Sequence, residues 1–477
     1  MISHTMPGGV GTHSTRSAST AGPAVFVAFV AAIGGFLFGF DTAIINGGLD
    51  AIRATYRMSS VTTGLAVSCA LIGSAVGAAF AGRAADRFGR VKVMLAASII
   101  FGVSSLGAGL AFGVASLVLW RFIAGIGVGI ASVIAPAYIA EIAPAHMRGR
   151  LGSLQQLAIV VGIFVALLTD AFLARAAGGA GRPLWFHLEA WRWMFLAGVV
   201  PSLAYGLLSA QIPESPRYLV GRGQLEPAAV VLRRMLGISN VDAKIEDIAR
   251  TLRRTDTASI RDLAGPRMGL LPVVWLGILL SVFQQFVGIN VIFYYSTTLW
   301  RSLGFSEADA LTTSVITSVT NVLVTLVAIS LVDKIGRRPL LLVGSAGMAL
   351  CLGTLAYCFG NAAAVGGTVV LTAPYNGLAL VAANLYVVFF GVSWGPVVWV
   401  LLGEIFSNRI RAPALALAAS AQWVANFLVS VSFPVLAQRF GLPVTYALYA
   451  TFALLSLVFV LTKIRETKGT ELEEVLH

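Results

Sequence analysis

A chain of 477 residues would ordinarily divide into two or three soluble domains. Here 57% of the residues are hydrophobic and only 11% are charged, against about 25% charged in soluble domains, which excludes an ordinary soluble protein. The 50 glycines are scattered rather than periodic, which excludes a collagen-like repeat, and Cys69, Cys351 and Cys358 lie in apolar runs with no disulfide or zinc spacing. The composition leaves a polytopic, all-α membrane protein.

A span needs about 20 mostly apolar residues, and twelve segments qualify. In chain order they are 24–46, 61–82, 92–113, 116–140, 151–173, 191–211, 271–296, 312–332, 340–360, 378–402, 413–435 and 443–463. Residues 1–22 are polar and rich in Ser, Thr and Gly, a composition expected of a disordered tail. The first apolar run is too long for a signal-peptide core and is followed by eleven more, so it reads as a retained helix.

The basic residues set the orientation. Arg53, Arg57, Arg175, Arg182, Arg192, Arg301 and Arg439 fall outside and Arg121 within a span, leaving 25 of 33 on one side, the predicted cytoplasmic side, together with both termini. The net charge of +12 is therefore a topology signal, and no nucleic-acid partner is expected. Between spans six and seven, 212–270 carries Arg233, Arg234, Arg250, Arg253 and Arg254 at helical spacing, as a solvated cytoplasmic linker would.

The chain also repeats itself. Asp86-Arg87-Phe88-Gly89-Arg90 after span two returns as Asp333-Lys334-Ile335-Gly336-Arg337 after span eight. Glu141 and Arg148 after span four return as Glu404 and Arg411 after span ten, and Glu214 after span six as Glu466 after span twelve. Two parallel six-helix repeats are the plan of a rocker-switch transporter. The expected divisions are a tail at 1–22, halves at 23–211 and 271–463, the linker at 212–270, and a cytoplasmic tail at 464–477.

Deep polar residues are few. Asp41 and Arg121 are read as the only ionisable residues well inside the spans, and such residues are expensive and usually functional. Each lies about five residues from the outer end of its span, about 8 Å deep at 1.5 Å per residue, so they can pair. Neutral amides sit at Gln155, Gln156, Gln284, Gln285, Asn290, Asn321, Gln422 and Asn426, with aromatic faces at Phe38, Trp399 and Trp423. An amide both donates and accepts, which suits a substrate made of hydroxyls, and the rings suit its C–H faces. Gln155 points to a different helical face from Gln156, and Trp394, five residues before Trp399, faces elsewhere; neither is assigned to the site. No Walker sequence, intramembrane histidine, metal cluster or catalytic triad is found, so neither ATP-driven transport, nor an enzyme, nor a cofactor is expected.

With these residues in hand, the chain resembles the sugar porter branch of the major facilitator superfamily from residue 24 to 477. The cytoplasmic signatures are Gly82-Arg83-Ala84-Ala85-Asp86-Arg87-Phe88-Gly89-Arg90, Pro213-Glu214-Ser215-Pro216-Arg217 and Asp333-Lys334-Ile335-Gly336-Arg337-Arg338. The membrane signatures are Gln284-Gln285-Phe286-Val287-Gly288-Ile289-Asn290 and Trp394-Gly395-Pro396-Val397-Val398-Trp399. Arg465 departs from the family, which usually has proline before Glu466-Thr467-Lys468-Gly469.

The resemblance implies the major facilitator fold, twelve transmembrane helices in two six-helix halves. It is greatest to bacterial glucose and xylose proton symporters. It implies a monosaccharide:proton symporter of the plasma (inner) membrane, working by alternating access as a monomer in the lipid bilayer. Glucose is the first candidate and xylose the second; a polyol or inositol symporter, a uniporter and a non-transporting sugar sensor stay open. Carried over residue by residue, it implies sugar contacts at Phe38, Gln156, Gln284, Gln285, Asn290, Asn321, Trp399, Gln422, Trp423 and Asn426, and proton coupling at Asp41 with Arg121. The charges Asp86, Arg90, Glu141, Arg148, Glu214, Arg217, Glu404 and Arg411 fit an inner gate that holds the halves together when the outside is open.

Overall fold

The structure is a computed structural model. It describes residues 18–466 except 143–147, 239, 256–259, 267–268, 303, 366–367 and 407–409. The side chains of Arg148 and Arg411, two of the expected gate charges, lie outside the described residues, although their helices are placed.

Nineteen α-helices are described: α1 Ala18–Ala43, α2 Ile45–Thr55, α3 Ser60–Phe88, α4 Arg90–Gly109, α5 Val114–Ile142, α6 Arg148–Ala177, α7 Ala190–Ala197, α8 Val199–Ser209, α9 Pro216–Gly221, α10 Leu225–Leu236, α11 Val241–Thr255, α12 Pro272–Phe286, α13 Ile289–Tyr294, α14 Ser296–Ser302, α15 Glu307–Ile335, α16 Arg337–Gly360, α17 Tyr375–Val392, α18 Trp394–Ile405 and α19 Arg411–Lys463. Fifteen of them make the twelve crossings, several of which are broken, while α9, α10 and α11 lie between the halves and α14 follows the seventh crossing. The first is α1 with α2, the sixth α7 with α8, the seventh α12 with α13, and the tenth α17 with α18. The last two are both within α19, which is interrupted at Gly441, where φ is +79°. A left-handed residue costs a side chain dearly and glycine little, so this glycine turns the chain back between crossings. One short antiparallel hairpin, Ala363–Val365 with Thr368–Val370, stands in the connection after α16, a small exception to the all-α expectation.

Packing within the N-terminal half depends on small residues, as it does where lipid supplies no hydrophobic drive between helices. On α3 and α5, Gly73, Gly77, Gly125 and Gly129 recur at four-residue spacing. A Cβ at Gly125 would lie 2.0 Å from the Ala70 carbonyl oxygen, and one at Gly73 2.1 Å from that of Phe122. Gly39 on α1 meets Ile159 of α6 as closely, at 1.9 Å. α1 packs on α5 through another glycine, Gly34, whose Cβ would lie 3.2 Å from that of Ala131, and this seating brings Asp41 of α1 to Arg121 of α5.

The internal repeat is visible in the bonding. Ser59 and Ser306 cap α3 and α15, each accepting from the backbone N–H three residues on. Gly89 and Gly336, at φ +97° and +104°, make the tight turns into α4 and α16. Glu214 then accepts from the backbone N–H groups of Arg90 and Val91 at 2.9 and 3.2 Å. Glu466 does the same for Arg337 and Arg338, at 3.0 Å each. A carboxylate belongs there, because the first N–H groups of a helix have no partner within it and carry its positive end.

The halves meet along α3 against α19 and α6 against α15. On the face away from the chain ends they are also bolted together. Asn46 of α2 donates to Ser296 of α14 at 2.7 Å and accepts from the Thr297 N–H at 3.1 Å. Arg301 pairs with Asp50 at 2.6 Å, Glu307 accepts from the Ala180 N–H at 2.8 Å, and Ser60 donates to Gln438. On the face that bears the chain ends, the described charge pairs bind within a half instead. These cross-half bonds close the molecule on the face away from the chain ends.

Candidate functional site: an amide string and a buried ion pair between the halves

The ion pair lies in the N-terminal half. Arg121, 1% exposed, donates through one Nη to the Asp41 carboxylate at 2.6 Å and to the Asp41 carbonyl oxygen at 3.0 Å. Asp41 itself is 4% exposed. The guanidinium lies 5.9 Å from the Phe195 ring centroid, and its Nε has no hydrogen-bond partner. Beside the pair is a small cavity lined by Ser104 and Ser105 of α4 and by Phe40, Phe101 and Phe195. The depth arithmetic on the two spans therefore located a real contact. The pair is single-pronged and leaves guanidinium capacity unused, so protonating Asp41 removes one hydrogen bond and one charge rather than dismantling a bidentate clamp.

The amides of the C-terminal half form one connected string. Gln422 of α19 donates to the Gln284 Oε1 at 2.6 Å, Gln285 donates to the same oxygen at 3.4 Å, and Asn290 donates to the Gln285 Oε1 at 2.6 Å. Gln284 is the hub, for its own Nε2 is taken by the carbonyl oxygens of Trp394 and Gly395 at 2.8 and 3.3 Å. The Gln422 Oε1 is buried with no partner. The string exists because the seventh crossing breaks: Gly288, at φ +86°, ends α12 and starts α13, and the altered helix path carries Asn290 back onto Gln285. In an unbroken helix, five residues turn through about 500°, which puts the two side chains on different faces.

The other expected site residues take several positions. Phe38 and Trp423, from opposite halves, meet edge to face with ring centroids 5.3 Å apart. Asn426 donates to the Tyr294 hydroxyl at 3.4 Å and accepts from Ser430 at 3.2 Å. Asn321 is 6% exposed and faces α17, where a Cβ on Gly391 would lie 3.5 Å from its Oδ1. Gln156 is half-buried and Trp399 is 44% exposed. The two residues set aside do face elsewhere: Gln155 packs on α1, 2.8 Å from where a Gly35 Cβ would stand, and Trp394 is fully buried and donates to Ser345 at 2.9 Å.

Four of the eight expected gate charges, Asp86, Arg90, Glu141 and Glu404, lie in two matching braces, the second completed by Arg337, which was not expected in the gate. Arg90 binds Glu141 at 3.1 and 3.0 Å and Asp86 at 3.2 Å, and Arg337 binds Glu404 at 2.8 Å. Ser215 adds a bond to Glu141 at 2.5 Å. Glu214 serves the start of α4 as described above, and Arg217 opens α9, where its N–H donates to Ser215 at 3.1 Å. Each described bond stays within its own half.

One reading of the sequence needs correction. Asp41 and Arg121 are not the only ionisable residues deep in the spans: Asp170, inside the fifth crossing, is 0% exposed. It lies three residues from the expected end of that span, and proximity to the end hid it. Asn46, which bolts α2 to α14, was also missed, and a polar residue at the last position of the first span was the available signal.

Two six-helix repeats around a polar centre, closed on one face, define a secondary transporter of the major facilitator fold. The chain belongs to the family described as "Sugar (and other) transporter", which it matches over residues 27–476. The "Glucose transport protein" of Synechocystis sp. is 54% identical over 97% of this chain and 99% of its own. The "D-xylose-proton symporter" of Escherichia coli is 37% identical over 94% of each. Among solved structures, a partially occluded inward open conformation of the xylose transporter XylE from E. coli superposes with a TM-score of 0.81 at 35% identity, covering 94% of this chain and 100% of the other. A structure of the proton:xylose symporter XylE bound to 6-bromo-6-deoxy-D-glucose gives 0.77 at 35% identity, covering 96% and 99%. The chain is thus a multi-pass membrane protein of the sugar transporter family.

Proposed function

We propose that the protein is a monosaccharide:proton symporter that imports glucose, with xylose as the second substrate, acting as a monomer in the plasma membrane. The observation that carries this reading is the pairing of two sites in one chain: a string of hydroxyl-matching amides and, across the interface, a buried carboxylate held by a single arginine bond. The names of the glucose and xylose relatives support the substrate class, and the symporter among them supports the proton. In this reading the face bearing the termini is cytoplasmic, as the basic loops require. The halves 23–211 and 271–463 rock about the sugar, and 212–270 links them on the cytoplasmic side. The conformation described is then the inward-facing one, shut toward the outside by Asn46, Asp50 and Glu307. Uptake of labelled sugars into vesicles tests the proposal: glucose should accumulate only with an inward proton gradient, and equal uptake without one would overturn symport.

The braces take a second role in this mechanism. Glu141 and Glu404 keep 14% and 26% side-chain exposure, and a carboxylate has about four acceptor sites. Glu141, whose described partners are Arg90 and Ser215, can therefore accept a cation of the opposite half when the cytoplasmic face closes. Exposed pairs are worth only ~0–1 kcal/mol each, so Glu141→Ala should raise the inward-open to outward-open ratio by up to about fivefold. Cysteine labelling from the cytoplasmic side should increase accordingly; unchanged labelling would leave the brace with a role in its own half alone.

A further inference from the structure

We propose that Asp170 is a second proton-binding residue of the transporter, taking up a proton from the outside as the outer gate closes and releasing it as the gate opens. The inference goes beyond the assignment of Asp41 and uses a different helix pair. Asp170 sits on α6, 0% exposed. Its Oδ2 accepts one hydrogen bond, from the Gly47 N–H at 2.9 Å. Its Oδ1 is buried with no partner at all.

Among the described residues, the charges on the neighbouring elements are engaged elsewhere or exposed. On α1 and α5, Asp41 and Arg121 hold each other, and Glu141 is held by Arg90. On α2, Asp50 belongs to Arg301 and Arg53 is exposed. On α7, Arg192 is bound to Glu189 and to the carbonyls of Gly109 and Ala111. On α15, Glu307 is bonded to the Ala180 N–H and Asp309 to Ser306, and Arg175, further along α6, is exposed. None of the described ion pairs includes Asp170. An ionised carboxylate in this place would have one backbone donor to replace its entire hydration, which is far too little. A neutral acid fits, with the proton on Oδ1 and Oδ2 accepting from Gly47.

The location ties this proton to the gate. Gly47 is fixed on the carboxyl so closely that a Cβ there would stand 2.4 Å from the Asp170 Cβ, and Gly48 is equally tight on Trp191, at 2.7 Å. The residue just before, Asn46, is the bolt to Ser296 and Thr297 of the other half. The segment that covers Asp170 is therefore the segment that shuts the outer face. When the bolt opens, α2 loses its seat on α14, water reaches Oδ1, and the proton leaves to the external solution. Closure reverses both steps. A state that holds an extra proton is favoured as pH falls, so acid outside closes the outer gate.

The test needs neither sugar nor a gradient, so it stands or falls apart from the symport reading. Ala54 and Thr312 are exposed on α2 and α15, and the three native cysteines are buried. Spin labels on Ala54→Cys and Thr312→Cys in the purified full-length protein would report the outer gap from pH 5 to pH 9. The native protein should pass from a short-distance to a long-distance population as pH rises. Asp170→Asn, whose amide oxygen still accepts from Gly47, should stay at the short distance throughout; should it fail to fold, Asp170→Ser carries the same expectation. A native profile with no pH dependence, or an uncharged variant that retains the native profile, would overturn the proposal.

Discussion

Replacing Asp41 by Asn is expected to abolish accumulation of sugar against its gradient while leaving sugar exchange measurable. The substitution keeps the shape and removes the negative charge that Arg121 binds at 2.6 Å. The Asp41 carbonyl oxygen, at 3.0 Å, remains to hold the arginine, so the helix pair is not expected to come apart. The loss is of the two-state carboxyl itself. The ionised carboxylate binds Arg121 at 2.6 Å and protonation would weaken that bond while leaving the one to the carbonyl oxygen, so under the proposed coupling the two forms favour different arrangements of α1 against α5. A group that binds a proton only in some conformations of the carrier converts a proton gradient into a bias on those conformations. Asn at this position is one fixed form, and no gradient can act on it. Counterflow in proteoliposomes should continue at a rate comparable to native, whereas uptake driven by a pH gradient should fall to the level set by equilibration. Concentrative uptake by the variant would move the coupling site elsewhere in the molecule.

Some of this architecture was legible because it depends on quantities a sequence carries directly. Span number follows from runs of about 20 apolar residues, and the Asp41–Arg121 contact follows from counting rise along two spans that start from the same side. The breaks were not legible. Glycines at 288 and 441 look like those at 73 or 125, yet the first two bend the chain and the others let helices touch. The difference lies in the neighbours each glycine meets, which no local pattern encodes. The gate charges show the same division. Their repetition after matching spans was visible, but their partners were not. Glu214 and Glu466 bind backbone N–H groups at helix starts, and a backbone group leaves no mark on residue identity. Asp170 was overlooked for a related reason: three residues from an expected span end, depth is as uncertain as the end itself, and burial was settled by α2 folding over the helix.

The break at Gly288 gives the proposed sugar site its most specific prediction. Asn290→Ala should weaken glucose binding by about 5- to 150-fold, the equivalent of ~1–3 kcal/mol for a hydroxyl left without its partner. Gln285→Ala should cost as much, because it removes both an amide and the acceptor that fixes Asn290 at 2.6 Å. The two effects should not add. Asn290 and Gln285 are consecutive members of one string, so once Gln285 is gone the orientation of Asn290 is no longer set, and the double variant should lose little beyond the larger single loss. Gln284 behaves differently. Both of its amide hydrogens face the carbonyls of Trp394 and Gly395, and its oxygen accepts from Gln422 and Gln285. Its removal therefore disorders the seventh, tenth and eleventh crossings together and should lower thermal stability as well as affinity. Gln155→Ala, against α1 and outside the string, should leave the affinity near native. Calorimetric titration of the four single variants and the double variant with glucose and with xylose, together with a thermal melt of the Gln284 variant, checks these expectations. Equal affinities for the Asn290, Gln285 and Gln155 variants would remove the string from the sugar site, and additive losses at 285 and 290 would mean that each amide meets its own hydroxyl independently of the other.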